Sequence, residues 1–165
     1  ICKHLNYTLG LKIFKHLSYI LAQKYQKFKL YCSSKNLQTF KLYFSLKNLQ
    51  TSKLYYRSTD FQAFILYFSS KNLQSFKLYF RSKNLLTFEL YITPKNLQTV
   101  KLYCRSTNSQ TFKLYFSSKY LQAFKLYFSS KNFLTLKLYF SSKIFKHLSY
   151  ILGLKIFTLP LRMIA

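Results

Sequence analysis

The chain has 165 residues, 27 of them Lys or Arg against 2 acids, for a net charge of +25, with 50% hydrophobic and 21% aromatic residues. So much apolar surface excludes the ordinary disordered class, which cannot bury enough to offset chain entropy. With only 2 Gly and 2 Pro for turns, and charge that repels itself, the expectation is a repeat that need not form a stable globule.

Residues 1–27 make a cationic flank. Ile13, Phe14, Leu17, Ile20 and Leu21 recur at helical spacing, with Lys12, Lys15 and Ser18 off that face. This spacing predicts a short amphipathic helix over residues 9–24, suited to capping, to core packing or to an anionic membrane surface. Lys3, Lys12 and Lys15 interrupt the apolar residues and no small-residue cleavage site follows, so no signal peptide is expected. The start at Ile1 and the single methionine, Met163, read as a fragment. The sequon at Asn6, Tyr7 and Thr8 has no accompanying sign of secretion and reads as chance.

Residues 28–147 are ten tandem copies of a twelve-residue unit with consensus FKLYFSSKNLQT. Leu at the third position and Tyr at the fourth persist in all ten, from Leu30 and Tyr31 to Leu138 and Tyr139. A fixed period of this kind points to a repeat architecture before any other fold. Twelve residues at about 100° each leave successive copies about 120° out of phase on a helix, so no apolar stripe persists along one. Alternation fares better: FKLYF places Phe, Leu and Phe on one side and Lys and Tyr on the other, in residue types that suit strands.

The fold class is therefore an all-β repeat, as an antiparallel meander or a parallel solenoid. Phe44 and Leu49 have opposite parity across a four-residue SSKN loop. A meander then needs a three-residue loop at 45–47, with Asn48 left-handed beside a bulge. A solenoid with one copy per rung keeps parity automatically, but it stacks Lys41 over Lys29 and Lys53 and leaves a thin interior for two Phe and one Leu. The meander is preferred on those two grounds.

The longest charge-free stretch, residues 61–70, is ten residues, too short for the roughly 18 to 20 apolar residues of a spanning helix. Within it, residues 64–70 (FILYFSS) are uncharged and rich in β-formers because Ile65 replaces the usual Lys, an aggregation signature. Residues 148–165 form the C-terminal flank. KIFKHLSYIL at 12–21 recurs at 143–152, and the same helical spacing is expected over residues 144–157.

Catalytic chemistry is missing. Asp60 and Glu89 are isolated replacements of Asn and Lys, and His4, His16 and His147 lie at or beyond the ends of the array. Gly10 and Gly153 are the only glycines, so no phosphate-cradling loop or nucleophile elbow can be built. Cys2, Cys32 and Cys104 form no ligand cluster with the histidines, and Cys32 and Cys104 stand where Phe usually does, as small apolar substitutes. No catalytic, cofactor-binding or metal site is expected, and no small-molecule substrate.

The partners expected are the chain itself and, without sequence preference, nucleic acid or an anionic membrane surface. Lys41 and Tyr43 share a strand face, so a Tyr/Lys surface is available if the Phe/Leu/Phe face is buried, chemically like a single-strand stacking platform. Three functional readings compete: translated AT-rich repeat DNA with no specific biochemical function, a self-associating structural β-repeat, and a polyanion binder. The first leads, because replacements such as Leu46, Ile65, Glu89 and Ser109 are abrupt. In addition, the dominant residues can be written in A and T alone.

Overall fold

A computed structural model describes residues 4–21, 27–154 and 161–164. It is all strand, with β1 over His4–Leu21, β2 over Lys27–Leu154 and β3 over Leu161–Ile164. β2 is one unbroken extended run that coils on itself as a β-solenoid. β1 and β3 pair with it in parallel, and the sheet order is β1-β2-β3.

The rung holds two copies of the unit. Tyr31 stacks on Tyr55 and Tyr55 on Tyr79, with centroids 4.6 and 4.8 Å apart. Asn48 accepts from Asn72, again 24 residues on. These spacings match the 4.7–4.9 Å separation of neighbouring strands. Copies 1, 3, 5, 7 and 9 therefore stack as an odd side, and copies 2, 4, 6, 8 and 10 as an even side.

Perimeter explains the choice. Twelve residues at about 3.3 Å each give roughly 40 Å. Two facing walls about 10 Å apart would use half of it, leaving about 10 Å per wall, too short for the five-residue FKLYF run. Twenty-four residues leave about 30 Å per wall, which is enough. The thin interior that counts against a one-copy rung is thus removed by doubling it.

Burial shows how the even period is kept. Among the residues whose burial is described, positions one, three, five and seven of the copies point inward, the eighth and ninth both point outward, the tenth points in, and the last two are outward. Each outward pair is a corner. Phe44 and Leu49 both reach the interior because Lys47 and Asn48 occupy a corner between them. No described non-glycine residue has positive φ, so the left-handed Asn48 that a meander would need is not used. The parallel pairing in turn replaces the meander arrangement.

Across the interior, the first position of one copy meets the fifth of its neighbour edge to face. Phe28 meets Phe44 at 4.7 Å, Phe40 meets Tyr56 at 5.0 Å and Phe64 meets Phe80 at 4.9 Å. Along the axis, Phe40, Phe64, Phe88 and Phe112 form an unbroken stack. Seventh-position serines close the corners: Ser58 Oγ lies 3.2 Å from the carbonyls of both Lys35 and Asp60, and Ser82 repeats the pattern with Thr59 and Asn84. Corner carbonyls that a turn would otherwise expose are thereby given a donor.

The helices expected at the ends are strand instead. β1 pairs with the first coil from His4 on Lys27 to Leu21 on Phe44, and β2 runs through Leu154. The expected helical segments at 22–24 and 155–157 lie outside the described residues. The parallel edge of the first coil gives β1 registered partners at 16 of its 18 residues, and tertiary pairing of that extent overrides a weak helical spacing.

The two-copy rung is checked by cross-linking. With Cys2, Cys32 and Cys104 replaced by Ser, Tyr55→Cys with Tyr79→Cys should form a disulfide, the expected ~4.8 Å spacing lying within the usual Cα range. Tyr55→Cys with Tyr67→Cys should not, those residues being on opposite walls. The reverse result would restore a twelve-residue rung.

Candidate functional site

The two-copy rung sorts charge. On the odd side, Lys29, Lys53, Lys77, Lys101 and Lys125 share one ladder, and Arg57, Arg81 and Arg105 share another between Ser33 and Ser129. The Tyr ladder runs between them. The even side carries Lys41, Ile65, Glu89, Lys113 and Lys137 at the lysine position and only Ser or Thr at the arginine position. Three of the chain's four arginines thus stand in one column, exposed, with no acid in it.

Beside that column the eighth position alternates Lys35, Thr59, Lys83, Thr107 and Lys131. An open groove of about 640 Å³ runs along this corner, lined by Arg57, Arg81, Lys35, Lys83 and the hydroxyls of Ser33, Thr59 and Thr107, among others. The matching even corner, about 610 Å³, offers Lys71, Lys95 and Lys119 with Pro94 and no arginine. Adjacent cations one rung apart repel by about 1 kcal/mol in water before salt screening, so each column is a standing demand for anions.

Both acids of the array find partners through the 24-residue period. Glu89 Oε1 accepts from Lys113 at 2.8 Å, the one ion pair among the described residues, and Oε2 accepts from Tyr91 at 3.1 Å. The bond to Glu89 raises the Lys113 pKa, while burial and then Glu89 raise that of Tyr91. Asp60 sits in the corner asparagine ladder, where it accepts from Asn84 at 2.6 Å and from the Asn36 amide nitrogen, turned toward it, at 2.9 Å. The even ladder ends at Asn96, whose amide oxygen is buried without a donor because Tyr120 replaces the next Asn.

The Tyr/Lys surface has a different chemistry from a stacking platform. Lys41 and Tyr43 do point outward, on the even side. But from Tyr43 to Tyr139 each ring lies against the next at 4.5–4.8 Å and within 7° of parallel. The odd ladder from Tyr31 to Tyr127 is equally closed. Ring faces inside a ladder are covered by rings, so bases cannot stack on them. What remains outside is ring edges, hydroxyls and cations.

No protein-family model, curated protein or solved structure matches this chain.

Among the described residues no group of three His, Cys, Asp or Glu comes together as a metal would need, and no helix is long and apolar enough to cross a membrane. Cys2 lies outside the described residues. His4 and His16 fall on β1 and His147 on β2. Cys32 and Cys104 are buried free thiols. Burial lifts the Cys32 pKa to about 11 and that of Cys104 further, away from the reactive thiolate.

The arginine column was legible in principle, because Arg57, Arg81 and Arg105 all fall in odd copies while Ile65 and Glu89 fall in even ones. A test for a 24-residue period would find it.

Tyr56 is the interior's electrostatic weak point. It stands where most copies have Phe, its hydroxyl is buried without a protein partner, and burial holds its pKa well above 10.0, with Cys32 adding to the shift. Tyr56→Phe should raise stability by about 1 to 3 kcal/mol in urea denaturation, the cost of an unsatisfied buried polar group. Because the folded state keeps this phenol protonated, stability is complete below pH ~10 and declines as pH rises from there toward the folded value. The variant should lose part of that alkaline decline. An unchanged midpoint at neutral and alkaline pH would show that the hydroxyl is solvated.

Proposed function

We propose that the chain is a structural β-repeat that works without catalysis and associates with copies of itself end to end. The observation that carries this is the free edge of β1. Among the described residues, β1 pairs on one side only, as the outermost strand of a parallel sheet. At the opposite end, among the described residues, β3 covers residues 138–141 of the last coil. Solenoids that stay monomeric cap such ends, and long uncovered edges recruit another chain. A second copy seated there continues the sheet head to tail, a contact that does not close and so grows a filament.

Charge sets the conditions. The +25 net charge opposes association, so assembly should accelerate as salt screens it. Filaments seen by electron microscopy, growing from added seeds and faster at higher salt, are the expected result. Replacing Thr8 and Leu9 with Pro removes consecutive β1 N–H groups, and should slow growth while the circular dichroism of the array persists. A monodisperse monomer at its solubility limit in high salt would overturn the reading.

A second reading, that the array is translated AT-rich repeat DNA with no selected function, is favoured by the abrupt replacements and by the codon composition. Aligning the ten DNA copies codon by codon tests it. Replacement differences as frequent as chance allows are expected under this reading, and a clear excess of silent differences would exclude it in favour of the structural repeat.

A further inference from the structure

We propose that the odd corner, built on the Arg57, Arg81 and Arg105 column, is a nucleic-acid backbone site that holds phosphates without reading bases. This goes beyond self-association, since it uses a wall of the solenoid and not its ends. Three observations converge. The guanidiniums are exposed in one column with no acid in it, and among the described residues the only ion pair lies on the even side. The groove lined by Arg57 and Arg81 is open, with Lys35 and Lys83 and the hydroxyls of Thr59 and Thr107 in its lining. The neighbouring Tyr rings are stacked on one another, which removes base stacking from the repertoire.

Guanidinium suits this task better than ammonium. Its planar fork donates two parallel hydrogen bonds to a phosphate, where lysine offers a point charge. Columns of cations parallel to the solenoid axis match a linear polyanion. Duplex DNA presents one charge per about 1.7 Å of its axis, so it supplies several phosphates over three successive rungs. A planar anionic bilayer fits less well, because it cannot enter a groove and because interfacial binding draws on apolar side chains set into the acyl boundary. The groove lining is cations and hydroxyls.

The test measures binding of a fluorescent DNA duplex to the full chain and three triple variants, with folding checked by circular dichroism. Arg57→Ser, Arg81→Ser and Arg105→Ser install the residue that other copies carry at this position, and should weaken binding by at least about tenfold and reduce the salt slope by about 2 to 3. Lys71→Ser, Lys95→Ser and Lys119→Ser remove the same charge from the even corner and should cost about threefold or less. Arg→Lys at the three odd positions should keep the salt slope yet lose affinity, as only a fork-dependent site would. Equal losses from the two serine triples would overturn the proposal in favour of diffuse net charge, as would absence of duplex binding. Tighter binding to vesicles of phosphatidylserine than to the duplex, lost in the arginine triple, would overturn it in favour of a membrane surface.

Discussion

The whole architecture hangs on fitting ten inward side chains, five from each of two copies, inside one closed coil. Phenylalanine at the first position and phenylalanine at the fifth lie two residues either side of an invariant leucine. When two such walls face each other with opposite chain directions, first meets fifth and third lies opposite third. The edge-to-face contact of Phe28 with Phe44 and of Phe64 with Phe80 is this geometry realised. Aromatic pairs of that type contribute about 0.5 to 1.5 kcal/mol beyond the area they bury. Corners follow from the same requirement, since two outward residues in succession are the simplest way to turn a strand while holding inward parity.

Once the rung is set at two copies, the outer surface is no longer an average of ten units. Each step in which one second-position Lys stacks on another costs repulsion of about 1 kcal/mol before screening. Beside it, each tyrosine stack returns a comparable amount. The odd side holds that balance with tyrosine alone. The even side relaxes it with Ile65 and Glu89, the latter bonded to Lys113 and Tyr91. The two walls therefore differ electrostatically although they share one consensus.

Strand content, the inward set of Phe and Leu and the tolerance of Cys32 and Cys104 inside were all readable from alternation and substitution pattern. The rung was not, because a twelve-residue period in sequence sets only a lower bound on the period in space, and perimeter decides the multiple. The expectation of a meander rested on treating SSKN as a loop that reverses direction. In the coil Ser58 and Ser82 hold corner carbonyls, so the polar segment bends the chain without reversing it. The expected terminal helices failed for a related reason: the spacing of Ile13, Phe14 and Leu17 is a local signal, and the uncovered edge that β1 occupies exists only once the array has folded. Asp60 and Glu89 look isolated along the chain because their cationic and amide partners, Lys113 and Asn84, lie one rung away.

Leu and Tyr, the two residues that persist in every copy, both have a physical role in the solenoid. All ten third-position leucines, from Leu30 to Leu138, are at most 3% exposed. They occupy the centre of each wall, where a smaller side chain would leave a cavity and a larger one would push the walls apart. The fourth-position tyrosines are held differently. Losing one interior ring from a ladder removes two stacking contacts, whereas the first and fifth positions take Val100, Ile92, Cys32 and Cys104 within the buried core. In copy 3, Ser52 and Tyr56 both depart from Phe at the first and fifth positions, and both leave a buried hydroxyl without a protein partner, yet the Leu54 and Tyr55 columns run through the same copy unbroken.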